Sequence, residues 1–77
     1  MAETEKDILL QIEKVAEKIK QLRKQNHSSS EDFANTHELN RVQYWRIEKG
    51  HNITLKTFFK ILKIHNLTAE EFFKDIS

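Results

Sequence analysis

Ser29-Ser30-Glu31-Asp32-Phe33-Ala34-Asn35-Thr36, then His37-Glu38-Leu39, then Asn40-Arg41-Val42-Gln43-Tyr44-Trp45-Arg46-Ile47-Glu48-Lys49, closed by Gly50: this run decides the fold. It reads as two short helices joined by a turn. Ser29 suits an N-cap, because a hydroxyl can accept from a free amide of the first turn, and Asp32 three residues on gives a weak capping box. Asn40 serves the second helix in the same way. Gly50, the sole glycine of the chain, falls where a helix needs a left-handed stop. Phe33, Ala34, Leu39, Tyr44 and Ile47 can point inward together, with Ala34 small where two helices cross. The outward face of the second helix is left with Asn40, Arg41, Val42, Trp45, Arg46 and Lys49. Long polar side chains near a helix N-terminus suit a DNA major groove.

Outward from this stretch, the same spacing logic extends to both ends. Ile8, Ile12, Val15, Ile19 and Leu22 recur at alternating steps of four and three, a heptad-like stripe that predicts a helix from about Thr4 to Gln25. Leu9 and Ala16 widen it. Acidic Glu3, Glu5 and Asp7 at its start and basic Lys18, Lys20, Arg23 and Lys24 at its end suit the helix dipole. The apolar residues before Ile19 either cover the domain's core or form a dimer contact between extended first helices. Asn26-His27-Ser28-Ser29-Ser30 is a polar loop. His51-Asn52-Ile53-Thr54 is another, with Thr54 capping a helix from Leu55 to His65. That helix carries more apolar surface than one core stripe uses, so Phe59, Leu62 or Ile64 is available for a second interface. Asn66-Leu67 reads as a short turn, and Thr68 caps a last helix to about Ile76 with Phe72, Phe73 and Ile76 on its apolar face.

Here the chain resembles the phage-repressor and Cro-type (XRE family) helix-turn-helix DNA-binding domains. The likeness rests on Ile19, Leu22-Arg23, Ser29, Phe33-Ala34, Leu39-Asn40-Arg41 and Ile47-Glu48-Lys49-Gly50. It continues through Ile53-Thr54-Leu55, Phe58, Ile61, Leu67-Thr68 and Phe72. It covers roughly Ile19 to Phe73 and is strongest in the ungapped run Leu22 to Gly50. The resemblance implies an all-α, five-helix repressor-like domain over residues 19–77, with residues 1–18 as an N-terminal extension of the first helix. It implies a sequence-specific transcriptional regulator that places a recognition helix, residues 40–49, in the major groove of double-stranded DNA. By the same resemblance Arg41, Val42 and Arg46 meet base edges. Arginine can bridge guanine O6 and N7, whereas Val42 can meet only a thymine methyl. Ser30 stands where the family often has a glutamine that touches phosphate. Lys49 and Asn52 are phosphate contacts, and Gln43 is an edge residue. Trp45 lies along the sugar-phosphate backbone or is partly folded into the core. Arg23 and Glu48 hold the positions of a structural pair that sets the recognition helix. His37 and His65 replace usual leucines, and Glu38 replaces the usual turn glycine, which demands either a left-handed glutamate, at a cost of about 1 kcal/mol, or a turn of changed shape.

Composition limits the alternatives. Seventy-seven residues suit one small domain, and with no cysteine its stability rests on a core or on a partner chain. No proline interrupts the helices. The net charge of +1 is low for a DNA binder, which favours a homodimer over a monomer. No apolar run approaches the ~18 residues of a membrane span and no signal peptide pattern is present, so the expectation is a cytoplasmic protein away from membranes. His27, His37, His51 and His65 share no metal-ligand spacing, no nucleophile-base pattern stands out, and no glycine-rich phosphate loop occurs. Neither an enzyme, a metal site nor a cofactor is therefore expected. The competing reading is a protein-interaction module, or an antitoxin-type partner, that keeps the helix-turn-helix fold.

Overall fold

The computed structural model describes residues 2–26, 28–74 and 76, so His27 and its part of the first loop lie outside the described residues. Its architecture is all-α. The helices are α1 (Ala2–Lys24), α2 (Ser30–Thr36), α3 (Arg41–Glu48), α4 (Leu55–Ile64) and α5 (Ala69–Lys74). α1 starts two residues earlier than the stripe predicts, and α5 stops short of Ile76.

Each expected cap forms. Ser29 Oγ accepts from the Asp32 amide, Asn40 Oδ1 from Gln43 and Thr54 Oγ1 from Thr57. At α5 the box is complete: Thr68 Oγ1 accepts from the Glu71 amide at 3.1 Å, and Glu71 Oε1 accepts from the Thr68 amide at 2.9 Å. The C-termini of α2, α3 and α4 share one device. Leu39, His51 and Leu67 donate their amides back to Ala34, Arg46 and Leu62, at 2.7, 3.0 and 2.9 Å. Glu38, Gly50 and Asn66 donate to Asn35, Ile47 and Lys63. These are paired Schellman bonds, which need a left-handed residue at the second position. That residue has φ of 58° at Glu38, 92° at Gly50 and 58° at Asn66. Glycine and asparagine take this region readily. Glu38 does so under strain, as its place in the turn demands. Glu38→Gly is therefore expected to raise stability by about 1 kcal/mol, read as a shift of the urea midpoint with unchanged slope.

The core gathers Ile19 and Leu22 of α1, Phe33 and Ala34 of α2, Tyr44 and Ile47 of α3, Phe58, Ile61 and Leu62 of α4, and Phe72 of α5. Phe58 and Phe72 meet edge to face at 5.1 Å. Leu62 is thus a core residue and not free for a second interface, because it lies on the same side of α4 as Phe58 and Ile61. Ile64 is partly buried against the core, whereas Phe59 is exposed, as is Phe73 on α5.

Two histidines gather around the buried Phe33. His37 approaches its ring at 4.6 Å, and His65 stacks on it at 5.3 Å with 8° between planes. His65 thus lies flat on the phenyl ring, while His37 meets it tilted by 51°. His65 Nε2 is buried without a hydrogen-bond partner, and burial, reinforced by repulsion from His37, holds its pKa below the usual 6.5. The fold therefore prefers neutral His65. Above pH 6.5 its contribution to stability is whole. As pH falls below that value the unfolded chain takes the proton first, and the contribution is lost progressively until the folded pKa is passed. The melting temperature should fall over that window in the native chain and fall less in His65→Leu.

α1 is unbroken. At 1.5 Å per residue its 23 residues span roughly 35 Å, most of the molecule's longest dimension of 40 Å. Its C-terminal half enters the core through Ala16, Ile19 and Leu22. Its N-terminal half runs beside Ile53, Phe73 and Ile76 and leaves an open groove between them. The early apolar residues therefore neither seal the core nor stand clear of the domain.

Candidate nucleic-acid interface

The second helix of the central pair is held from behind. Arg23, in the last turn of α1, donates from Nε to Glu48 Oε2 at 3.0 Å and from Nη2 to Glu48 Oε1 at 2.7 Å. Its Nη1 donates to the Ser28 carbonyl at 2.7 Å. One guanidinium thus ties α1, the loop before α2 and the end of α3. The two side chains are 11% and 5% exposed, so the pair is well removed from water. Burial pushes the Glu48 carboxyl up, but the hydrogen bonds and charge of Arg23 outweigh it, and its pKa lies below the usual carboxylate value. The carboxylate in turn raises Arg23. The buried Tyr44 hydroxyl stands beside the pair with no hydrogen-bond partner among the described residues. Burial first, and the Glu48 charge second, push its pKa well up, so it stays neutral.

With Glu48 turned inward, the only carboxylate of α3 is neutralised. The outer face then presents Arg41, Val42, Trp45 and Arg46, with Lys49 at the helix C-cap, all exposed. Trp45 is 51% exposed, which places it on the outer face and out of the core. The Lys49 ammonium stands 5.4 Å from the centre of its ring, a cation over an aromatic face. A depression of about 340 Å³ lies between the start of α2 and this face, lined by Ser30, Glu31, Arg41, Val42 and Trp45. Ser30 is half-buried there, too short to brace α3 and reach outward at once.

A second depression, of about 250 Å³, joins Arg46 and Gln43 to His51, Asn52, Ile53, Thr54 and Thr57. Asn52 Oδ1 is already used by the Ile53 amide at 3.0 Å, as Asn40 Oδ1 is used in capping α3. What these two asparagines offer outward is chiefly the amide NH2 donor. Gln43 borders a third hollow with Glu38, Lys56 and Lys60, at the edge of the face.

Three participants were not singled out by the sequence reading. Glu31 forms an ion pair with Arg41 across the α2–α3 crossing, with both side chains largely exposed. In water such a pair adds roughly 0–1 kcal/mol, so Arg41 can leave it easily. Lys56 and Lys60 of α4 extend positive charge beside Gln43. Their spacing of four residues on a predicted helix was the available signal. Among the described residues no cluster of histidines and acids could hold a metal ion, and no helix is long and apolar enough to cross a membrane. No family model matches the chain, and no curated protein or solved structure matches it.

Proposed function

We propose that this protein is a sequence-specific regulator that binds double-stranded DNA as a homodimer, with α3 in the major groove. The observation that carries the reading is the polarity of α3. Its one acidic side chain is turned in and bound by Arg23, while Arg41, Arg46 and Lys49 face out around Val42 and Trp45. Arg41 and Arg46 read base edges, and Val42 meets a thymine methyl. Lys49, Trp45, Ser30 and Asn52 follow the sugar-phosphate backbone, and Asn40 and Gln43 border it. A cytoplasmic location goes with this role. Titration of a labelled duplex at several salt concentrations tests it. Affinity should fall on a log–log plot with a slope near −0.9 per phosphate contact. Affinity indifferent to salt would remove the DNA reading.

A second reading keeps the fold but gives the surface to a protein partner, as in an antitoxin. It is favoured by the engagement of Arg41 with Glu31, by the negative Glu38 in the turn, and by the apolar residues left exposed on α1, α4 and α5. On that reading a complex with a partner would form and duplex DNA would not be selected.

A further inference from the structure

The apolar extension of α1 and the surplus apolar residues of α4 and α5 belong to one surface. Ile8, Ile12 and Val15 of α1 face Ile53, Phe73 and Ile76 across a groove of about 540 Å³. Val15, Ile53 and Phe73 also line an adjoining hollow that adds Leu55 and Phe59. We infer that this continuous α1–α4–α5 face is where a second copy of the chain seats, so that two domains pair through it about a two-fold axis. The inference rests on the homodimer reading above and specifies where the two chains meet.

Area and chemistry identify the occupant. Ile8, Leu55, Phe59 and Phe73 are each 47% to 70% exposed. At ~150–250 Å² for a large aromatic side chain, and less for an aliphatic one, they offer roughly 400 Å². That is about half of the ~800 Å² per partner of a stable interface, and Ile12, Val15, Ile53 and Ile76 extend the same apolar wall. Lys14 is the only charged residue among those lining the two hollows. DNA or an acidic segment would therefore gain little there, whereas a second apolar face of the same shape would gain most. A two-fold contact sets the same patch against itself, so a nearly uncharged patch meets no like-charge penalty. Ile53 also borders the hollow that holds Arg46 and Asn52. The joint between copies thus lies next to the surface proposed to face DNA.

Sedimentation equilibrium without DNA is the test, across a wide dilution series. The native chain should approach twice its monomer mass of 9.2 kDa. Ile8→Asp and Phe59→Lys should each shift it to the monomer with helix content unchanged, since both residues lie outside the core. Leu10→Asp, on the opposite side of α1, should leave the dimer intact. A native chain that stays monomeric overturns the inference, and so does a dimer that survives both variants or that Leu10→Asp dissolves. Because no DNA is present, failure here leaves the DNA reading standing, and failure of salt-dependent DNA binding leaves this result standing.

Discussion

Arg41→Ala and Arg46→Ala are each expected to cost specific duplex binding about 1–3 kcal/mol, the value of a bidentate arginine–guanine contact, or roughly 5- to 150-fold. The two together should reduce binding to the nonspecific level. Both side chains are exposed and neither touches the core, so circular dichroism and the melting temperature should stay within the small range of surface substitutions. The two arginines differ in their starting state. Arg41 is held by Glu31 and must exchange that partner for a base, whereas no ion pair of Arg46 is seen among the described residues. Glu31→Gln should therefore strengthen binding, by freeing Arg41 and by removing a negative charge beside the phosphates. Anisotropy titrations on one selected duplex at fixed salt would check all four proteins. Undiminished binding by both arginine variants would remove the base-reading role from α3.

Glu48→Ala should be strongly destabilising, by up to about 3 kcal/mol, the low end of the cost of breaking a buried ion pair. The reason is the partly buried charge left behind. Arg23 would keep its bond to the Ser28 carbonyl but lose both carboxylate contacts in a site shielded from water. At roughly 0.05–0.15 kcal/mol per residue, a chain of 77 residues is stable by about 4–12 kcal/mol, so the variant should melt far below the native chain. Replacing both partners with apolar residues of similar volume should recover much of the loss, because no unpaired charge remains. If the double variant folds but selects DNA poorly, the pair serves the orientation of α3 beyond its effect on stability. Acid reports the same interaction. The Glu48 pKa is lowered by folding, so its contribution is present above the ordinary carboxylate value and is lost as pH falls through the folded value. The Glu48 window opens below the ordinary carboxylate value, whereas the His65 window opens at 6.5, and Glu48→Gln should remove the first while leaving the second.

Much of this architecture follows from local chemistry and was legible before any coordinates. Ser29, Asn40, Thr54 and Thr68 cap because a short side-chain oxygen sits one residue before a periodic apolar pattern. Gly50 and Asn66 end helices because they accept positive φ. The outward set on α3 follows from a helical period and from the apolar Tyr44 and Ile47 on the other side. What depends on how helices cross was not legible. Glu31 and Arg41 are ten residues apart and meet only because α2 packs on α3. His37 and His65 come from different helices and find each other around Phe33. Leu62 could be assigned to either side of α4, since an apolar-rich helix has no sharp boundary between core and surplus. The apolar extension of the first helix and the surplus apolar residue Phe59 of the fourth looked unrelated in sequence and line adjoining hollows of one face in space.

The measurement that tests the central claim most directly is selection from a pool of random duplex DNA at two salt concentrations, with sequencing of the retained fraction. The account predicts enrichment of a two-fold symmetric motif with guanines at the positions read by Arg41 and Arg46, half-sites about one helical turn apart, and retention that falls steeply with salt. A retained fraction no different from the input pool, with the protein folded and dimeric, would contradict it and give the surface to a protein partner.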